Sequence, residues 1–506
     1  MVRCLVSCSE HVGHLNPTLP VVKALVDLGH EVHFLCLEMA QKKIEEVGAI
    51  FHNTVAVQTE LYAGRDSGKL AVYSIMEELG LEMSFLNILK CLNVSLELEL
   101  PGTMRFLQQL KPDVLVYDPL ITSRAAPLAA EVLGIPCVGL LTLAGPGAMR
   151  CHGPALLGEM TLEEAGKEVK QFSPHTAATK RIYGKYNLAL QKTHLLPDGY
   201  LDTCRNTVLV TTSEELQDPV TEPLAMAYER DSTRFVFVGP LLMPSVPEAL
   251  DANPLIQQMR EARKAGKRIV LVSMGTVITG GDKVAGWDAD CNGRSITGRD
   301  LCRAVWSATF DACGEDVLVI TALGLQADPL GDIEVPSGAV CAPSFRQVDL
   351  LRAGVDVFVT HGGQNSFTEA LASGAPVLVC PGFGDQVVNA EKAVVLGVGL
   401  KVDRPSIATQ DEAAKAAADY REDVRRSLRE VLQNPAYQRA AEAQASKLKV
   451  CGGVPRAVDV TSGPKQYTLE SLFSGISNEG KGRDFNPLGR SFCLVSRTFL
   501  TCWSPA

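Results

Sequence analysis

The densest chemistry in the 506-residue chain lies in residues 357–393, VFVTHGGQNSFTEALASGAPVLVCPGFGDQVVNAEKA. An apolar run, Val357–Thr360, reads as a buried strand that runs straight into His361-Gly362-Gly363. The missing glycine side chains let backbone approach a ligand, and the pattern predicts a helix starting near Asn365-Ser366. The free amides and positive dipole end of such a helix form an anion site, most often for phosphate. Amides in that arrangement, with the His361 imidazole beside them, suit a pyrophosphate without any metal. Glu369, one turn into the helix, is placed to accept hydrogen bonds from two ribose hydroxyls, and Asp385-Gln386 after the PGFG turn offers donors and acceptors for sugar hydroxyls. A structural turn would explain the His-Gly-Gly run by itself, but not all of these groups together.

A second set sits near the N-terminus, where the apolar run Val2–Ser7 is followed by Ser9–Gly13 and His14. A histidine at a strand-to-helix turn has a pKa near neutrality and suits a general base, so both His11 and His14 are candidates on residue type alone. Leu15, Leu19, Val22 and Leu25 recur at helical spacing and predict a helix over 16–28, with Asn16 as its cap, Pro17 just inside and Gly29 as its stop. Val32–Leu37 then completes a strand–helix–strand unit that opens a parallel sheet.

Similar alternation continues through Val114–Tyr117, Ala125–Leu133, Cys137–Leu140, Thr207–Thr211 and Phe235–Val238. A second series runs from Arg268–Ser273 through Asp316–Thr321, Ala339–Cys341, Val355–Thr360, Pro376–Cys380 and Gly399–Val402. The expected organisation is an α/β chain of two facing halves, 1–240 and 266–420, joined by a Pro-rich linker at 241–265. Helices at 421–460 return toward the first half, and a Ser/Gly-rich tail at 461–506 is expected to be loosely ordered. In open α/β sheets ligands bind beyond the carboxyl ends of the strands, which directs the chemistry to the cleft between the halves.

Composition narrows the partners. With 58 acidic against 48 basic residues the net charge is −10, and no basic cluster offers a seat for nucleic acid. No apolar run is long enough to span a membrane, and the N-terminus reads as starting inside the fold without a secretory leader. Fifteen scattered cysteines without a CxxC pair favour reduced thiols and a cytoplasmic setting. The one sequon, Asn93-Val94-Ser95, carries little weight in that setting.

The stretch from His361 to Asn389 resembles the donor-binding signature of the family 1 UDP-sugar glycosyltransferases, and a weaker likeness extends over residues 1–460. The resemblance implies the GT-B fold, two facing Rossmann-like domains with parallel sheets and an interdomain cleft. It assigns His361, Gly363, Asn365 and Ser366 to the diphosphate, Glu369 to the ribose, and Gln364, Asp385 and Gln386 to the sugar. Ser273-Met-Gly-Thr276 looks like the family's second phosphate loop, with Ser273 at the strand end and Thr276 as hydroxyl donor. The family commonly stacks uracil on a Trp-x-Pro-Gln run. This chain has Cys341-Ala-Pro-Ser-Phe-Arg-Gln347 there, which leaves Phe345 to stack and Gln347 to keep the rest of the pattern. Plant members carry Trp where Gln364 stands, so the sugar is open, with glucose as the expectation. The family's GHxNP-like turn favours His14 as base over His11, and Asp118 stands where the family places the carboxylate that orients it.

The activity implied is inverting, metal-independent transfer of a hexose from a UDP-sugar to a hydroxyl of a small lipophilic acceptor, with no cofactor. Residues 55–110 and 150–200 are expected to shape the acceptor seat, while their apolar Leu81, Met83, Phe85, Leu86 and Leu89 read as packing sooner than as pocket. Asp288-Ala289-Asp290 spells a DxD metal motif but lies in a Gly-rich excursion at 279–300, read as a surface lid, so no metal is expected there. A UDP-sugar epimerase and a catalytically silent nucleotide-sugar-binding protein are the alternatives.

Overall fold

In the computed structural model the described residues are 1–463, except 68–70, 122, 159, 190–200, 202, 246, 283–284 and 291–292. The expected loose tail therefore lies outside them beyond the end of the last helix, Gly453–Ser462.

Two parallel sheets result from the two alternating series. The first contains β1 (Arg3–Ser7), β2 (Glu31–Cys36), β3 (Ile50–Asn53), β4 (Val114–Tyr117), β5 (Cys137–Leu141), β6 (Thr207–Val210) and β7 (Arg234–Phe237), in the order β3-β2-β1-β4-β5-β6-β7. The second contains β8 (Arg268–Ser273), β9 (Val317–Ala322), β10 (Ala339–Ala342), β11 (Val357–Thr360), β12 (Val377–Val379) and β13 (Gly399–Lys401), in the order β10-β9-β8-β11-β12-β13. Runs such as VLVY and VFVT are buried on both faces, as parallel strands between helical layers must be. The edge strand β3 had no strong apolar signal, since IFHN is exposed or half-buried throughout.

Helices cover both faces of each sheet. Leu15, Leu19, Val22 and Leu25 of the first helix share a core with Ala457 and Val458 of the last, so the C-terminal helix packs in the first half of the fold. The opposite face is covered by Leu96, Leu100 and Leu107 from the helix Phe85–Leu110. In the second sheet Trp306 and Tyr420 close one face, while Phe367, Ile256 and Met259 close the other. Residues Met1–Ser462 form one compact unit.

Three expectations need correction. The stretch expected as a linker contains the helix Pro254–Lys264, whose Ile256, Met259 and Ala262 are buried in the second core at helical spacing. The 279–300 excursion is no loose lid: Trp287 and Ile296 are buried, and the Trp287 ring packs 6.1 Å from that of Trp306. The first helix starts at Val12, with His11 as N-cap, so Asn16 does not cap it and Pro17 and Pro20 lie within it. Proline removes a helical N–H, and tertiary contacts described below supply what the helix loses.

Candidate active site

The site is built at the two places where strand order reverses. In the first sheet β1 and β4 are neighbours, and the chain leaves them in opposite lateral directions. Residue 14 follows β1 and Asp118 follows β4 directly, its N–H held by Ser7 O at 3.0 Å. In the second sheet β8 and β11 are the corresponding neighbours, and His361 N bonds Ser273 O at 3.3 Å. Topological switch points open a crevice at the carboxyl ends of the strands, which is why sequence-distant loops meet there.

His14 Nδ1 lies 3.0 Å from Asp118 Oδ2 and 2.8 Å from Thr142 Oγ1. The Asp118 side chain is 3% exposed and His14 18%, so the pair is enclosed but reachable from the cleft. Burial lowers the His14 pKa, but the Asp118 charge and hydrogen bond, with Asp385 and Glu10 behind them, outweigh it and leave the net shift upward. Thr142, immediately after β5, was not singled out in the sequence, where its only signal is its place at a strand's carboxyl end. His11, the spare candidate, is half-exposed and bonds Ser9 Oγ at 2.6 Å, away from Asp118.

Across the cleft the helix Gln364–Ala372 starts at Gly363 as N-cap. Gly362, at φ +82°, donates to Thr360 Oγ1, and its carbonyl accepts from the buried Asn389 amide at 2.9 Å. The His361 imidazole is clamped between two glycines: a Cβ on Gly275 would lie 2.4 Å from its Nε2, and one on Gly363 2.6 Å. Burial lowers its pKa. Gln347 Nε2 donates to Ser366 Oγ at 3.1 Å and Glu369 Oε2 at 2.7 Å, so these three residues form one polar cluster. Burial pushes Glu369 up to about 7 against the opposing pull of Gln347 and Arg352. Phe345 is half-buried against the second core, and Thr276 is exposed on the loop after β8.

Asp385 and Gln386 do more structural work than their sugar-binding expectation implied. Asp385 Oδ2 accepts from Gln364 N at 2.8 Å, capping the helix start. Gln386 is buried, and its carbonyl oxygen accepts from Gly382 and Phe383, which holds the PGFG turn. Gln364 is buried too, its amide donating to Thr368 Oγ1 while its Oε1 has no partner among the described residues.

The two loops meet directly. Asn365 Nδ2 donates to Gly13 O at 2.6 Å, and Asp385 acts electrostatically on both His14 and His361. The physical reason for the first contact is in the sequence: Pro17 has no N–H for the Gly13 carbonyl four residues before it, so that carbonyl is free for Asn365. Pro17→Ala returns an N–H to the helix and competes for Gly13 O. We expect a higher melting temperature together with a kcat lower by up to about tenfold, the scale of one hydrogen bond. Thermal unfolding and steady-state rates check this, and an unchanged kcat shows the contact to be idle.

A further contact between the halves was illegible in the sequence. Lys392 Nζ, buried, bonds Leu216 O at 2.9 Å and pairs with Asp218, with His152 Nε2 3.9 Å from Asp218 Oδ2. Asp288 pairs with Arg299, and Asp290 accepts from Gly293 N and Gln410, so the DxD aspartates hold their own loop. Asn93 of the sequon is fully buried, its amide bonded to Thr179 Oγ1 at 2.7 Å. Of the apolar residues read as packing, Leu89 is buried in a core with Phe85 and Leu86 against it.

Residues 338–446 match the family described as UDP-glucoronosyl and UDP-glucosyl transferase. An uncharacterized UDP-glucosyltransferase of Bacillus subtilis (strain 168), YdhE, is 25% identical over 87% of this chain and 92% of its own length. Among solved structures, the glycotransferase of kitacinnamycin superposes with a TM-score of 0.62 at 21% identity, covering 90% of this chain and 97% of that one. The glycosyltransferase VinC in complex with DTDP gives 0.54 at 20%, covering 91% and 98%. All three are named as transferases, none as an epimerase. Two parallel-sheet halves with their switch points facing one another are the GT-B fold of these solved structures. The chain is a glycosyltransferase that uses a UDP-sugar donor, similar over most of its length to UDP-glucosyltransferases. No helix among the described residues is long and apolar enough to cross a membrane.

Proposed function

We propose that this enzyme transfers glucose, with inversion and without a metal, from UDP-glucose to a hydroxyl of a small lipophilic acceptor. The observation that supports this best is the His14–Asp118 pair facing the amide-rich start of the Gln364 helix, with the Asn365 contact to Gly13 joining the two. Asp118 and Thr142 occupy Nδ1, which leaves Nε2 to take the acceptor proton. The buried Asp118 carboxylate stabilises the imidazolium that forms. The acceptor oxygen attacks the anomeric carbon as its bond to the diphosphate breaks, from the face opposite the nucleotide. UDP leaves as an anion toward the helix amides, His361, Asn365, Ser366 and Thr276. Gln347, Ser366 and Glu369 face the ribose as one cluster, Phe345 lies against the base, and Asp385 and Gln364 line the sugar's side. Gln386 supports this wall by holding the turn beside it.

We place the protein in the cytoplasm: the twelve cysteines among the described residues are free thiols. UDP-glucose and other UDP-sugars, screened against a mixed small-molecule acceptor library with EDTA present and read by mass spectrometry, test the proposal. Glucosylated hydroxyl products are expected at an EDTA-independent rate. Transfer abolished by EDTA, or a preference for another sugar, overturns the corresponding part.

A further inference from the structure

Beneath the turn that carries the base lies a cavity of about 100 Å³. Cys8, Ser9 and Glu10, which lead into His14, form one wall, and Ser123 and Arg124, which follow Asp118, form another. Both loops that present the catalytic pair therefore border it. A third wall is the helix Phe85–Leu110, which turns Ser95 and Glu99 toward the cavity one helical turn apart.

Glu99 is an unusual group to find there. Among the described residues its carboxyl has one side-chain hydrogen-bond partner, the Ser95 hydroxyl. An ionised carboxylate offers about four acceptor positions, so most of its capacity faces the cavity. Burial pushes it up to about 7, against the opposing pull of Ser95 and Arg124. Arg124 is itself buried, with Nη1 on Asn93 Oδ1 at 2.7 Å. A half-buried carboxyl that lines a cavity without its full complement of partners is costly. A purely apolar seat would have no use for it, whereas a ligand hydroxyl would satisfy it.

We infer that the acceptor carries, besides the hydroxyl that receives the sugar, a second hydroxyl that donates to Glu99 within this cavity. The inference rests on the proposed transfer to a hydroxyl and adds the substrate class, a lipophilic diol or polyol in place of a mono-ol. The second hydroxyl anchors the far end of the acceptor, which leaves the first at the mouth of the cavity beside His14. A site built to hydrogen-bond a substrate hydroxyl discriminates against an analogue without it, because the buried partner is then left unpaired.

Matched mono-ol and diol pairs of hydroxylated naphthalenes and steroids, with UDP-glucose as donor, test it. For the wild-type enzyme kcat/KM is expected to favour the better diol of a set by about ten- to hundredfold, the range of a hydrogen bond to a charged group. Glu99→Leu is expected to bring that ratio close to one, and Glu99→Gln to keep part of it, with UDP binding by calorimetry reporting the fold of each variant. A wild-type ratio near one overturns the inference without needing either variant, and so does a ratio that survives Glu99→Leu. Products carrying sugar on mono-ols and diols alike leave the transfer reading standing in that case. No transfer to any hydroxyl, with UDP-glucose still bound, overturns that reading and the inference with it.

Discussion

Replacing His14 by alanine is expected to lower sugar transfer by roughly 10²–10⁴, the contribution of a positioned general base. UDP binding should be unchanged, because the phosphate-facing amides belong to the other half of the cleft. The pH profile sharpens the test. A general base works only when neutral, and the Asp118 and Asp385 charges hold the His14 proton past the ordinary imidazole value despite burial. The wild-type rate should therefore rise with pH through an inflection above 6.5, the unperturbed value. Asp118→Asn removes the largest raising influence, so its residual activity should inflect at lower pH while the maximum falls. Near-normal turnover in His14→Ala, measured beside intact UDP affinity, would falsify the assignment of the base.

The second large effect is expected at a residue with no functional group. Gly275 lies at φ +75°, and an added Cβ would sit 2.4 Å from His361 Nε2. Gly275→Ala must therefore strain the loop after β8, displace the imidazole, or both. The backbone cost is about 1–3 kcal/mol. A displacement of about 1 Å beside reacting groups is felt at about 10²-fold in kcat/KM. Gly281→Ala, in the same loop with nothing within 4 Å of its Cβ, is the control and should be close to wild type. Equal kinetics for the two variants would show that the His361 ring position does not matter.

Each half of the site can be read from local pattern where one short segment carries it. The strand β11, the glycines after it and the helix start at Gln364 lie within eight residues, so residue type alone identifies the strand-to-helix turn. The boundary of the first helix was not legible. Asn16-Pro17 is a good local start signal, but the helix begins at Val12, where His11 O accepts from His14 and Leu15 N–H, and the carbonyl that Pro17 leaves free is taken by Asn365, more than three hundred residues away. Trp287 gave a similar surprise. Its neighbours are glycines and charges, a surface pattern, yet the ring is buried beside Trp306. Thr142 and the Lys392–Asp218–His152 cluster have no local signature, because each is defined by a partner on another element.

The sequence by itself determined two alternating α/β series, a glycine-rich strand-to-helix turn at His361 and a histidine turn at the end of β1, since these depend on hydrophobic periodicity and on glycine and histidine chemistry within a few residues. Only the tertiary structure decided that Asp118 and Thr142 converge on the same nitrogen of His14. It alone showed that Gln386 braces a turn and that Glu99 faces a cavity behind the base. Parallel strands place their neighbours by crossover connections, so which loops share a switch point is a property of the whole sheet, and no single stretch of chain encodes it.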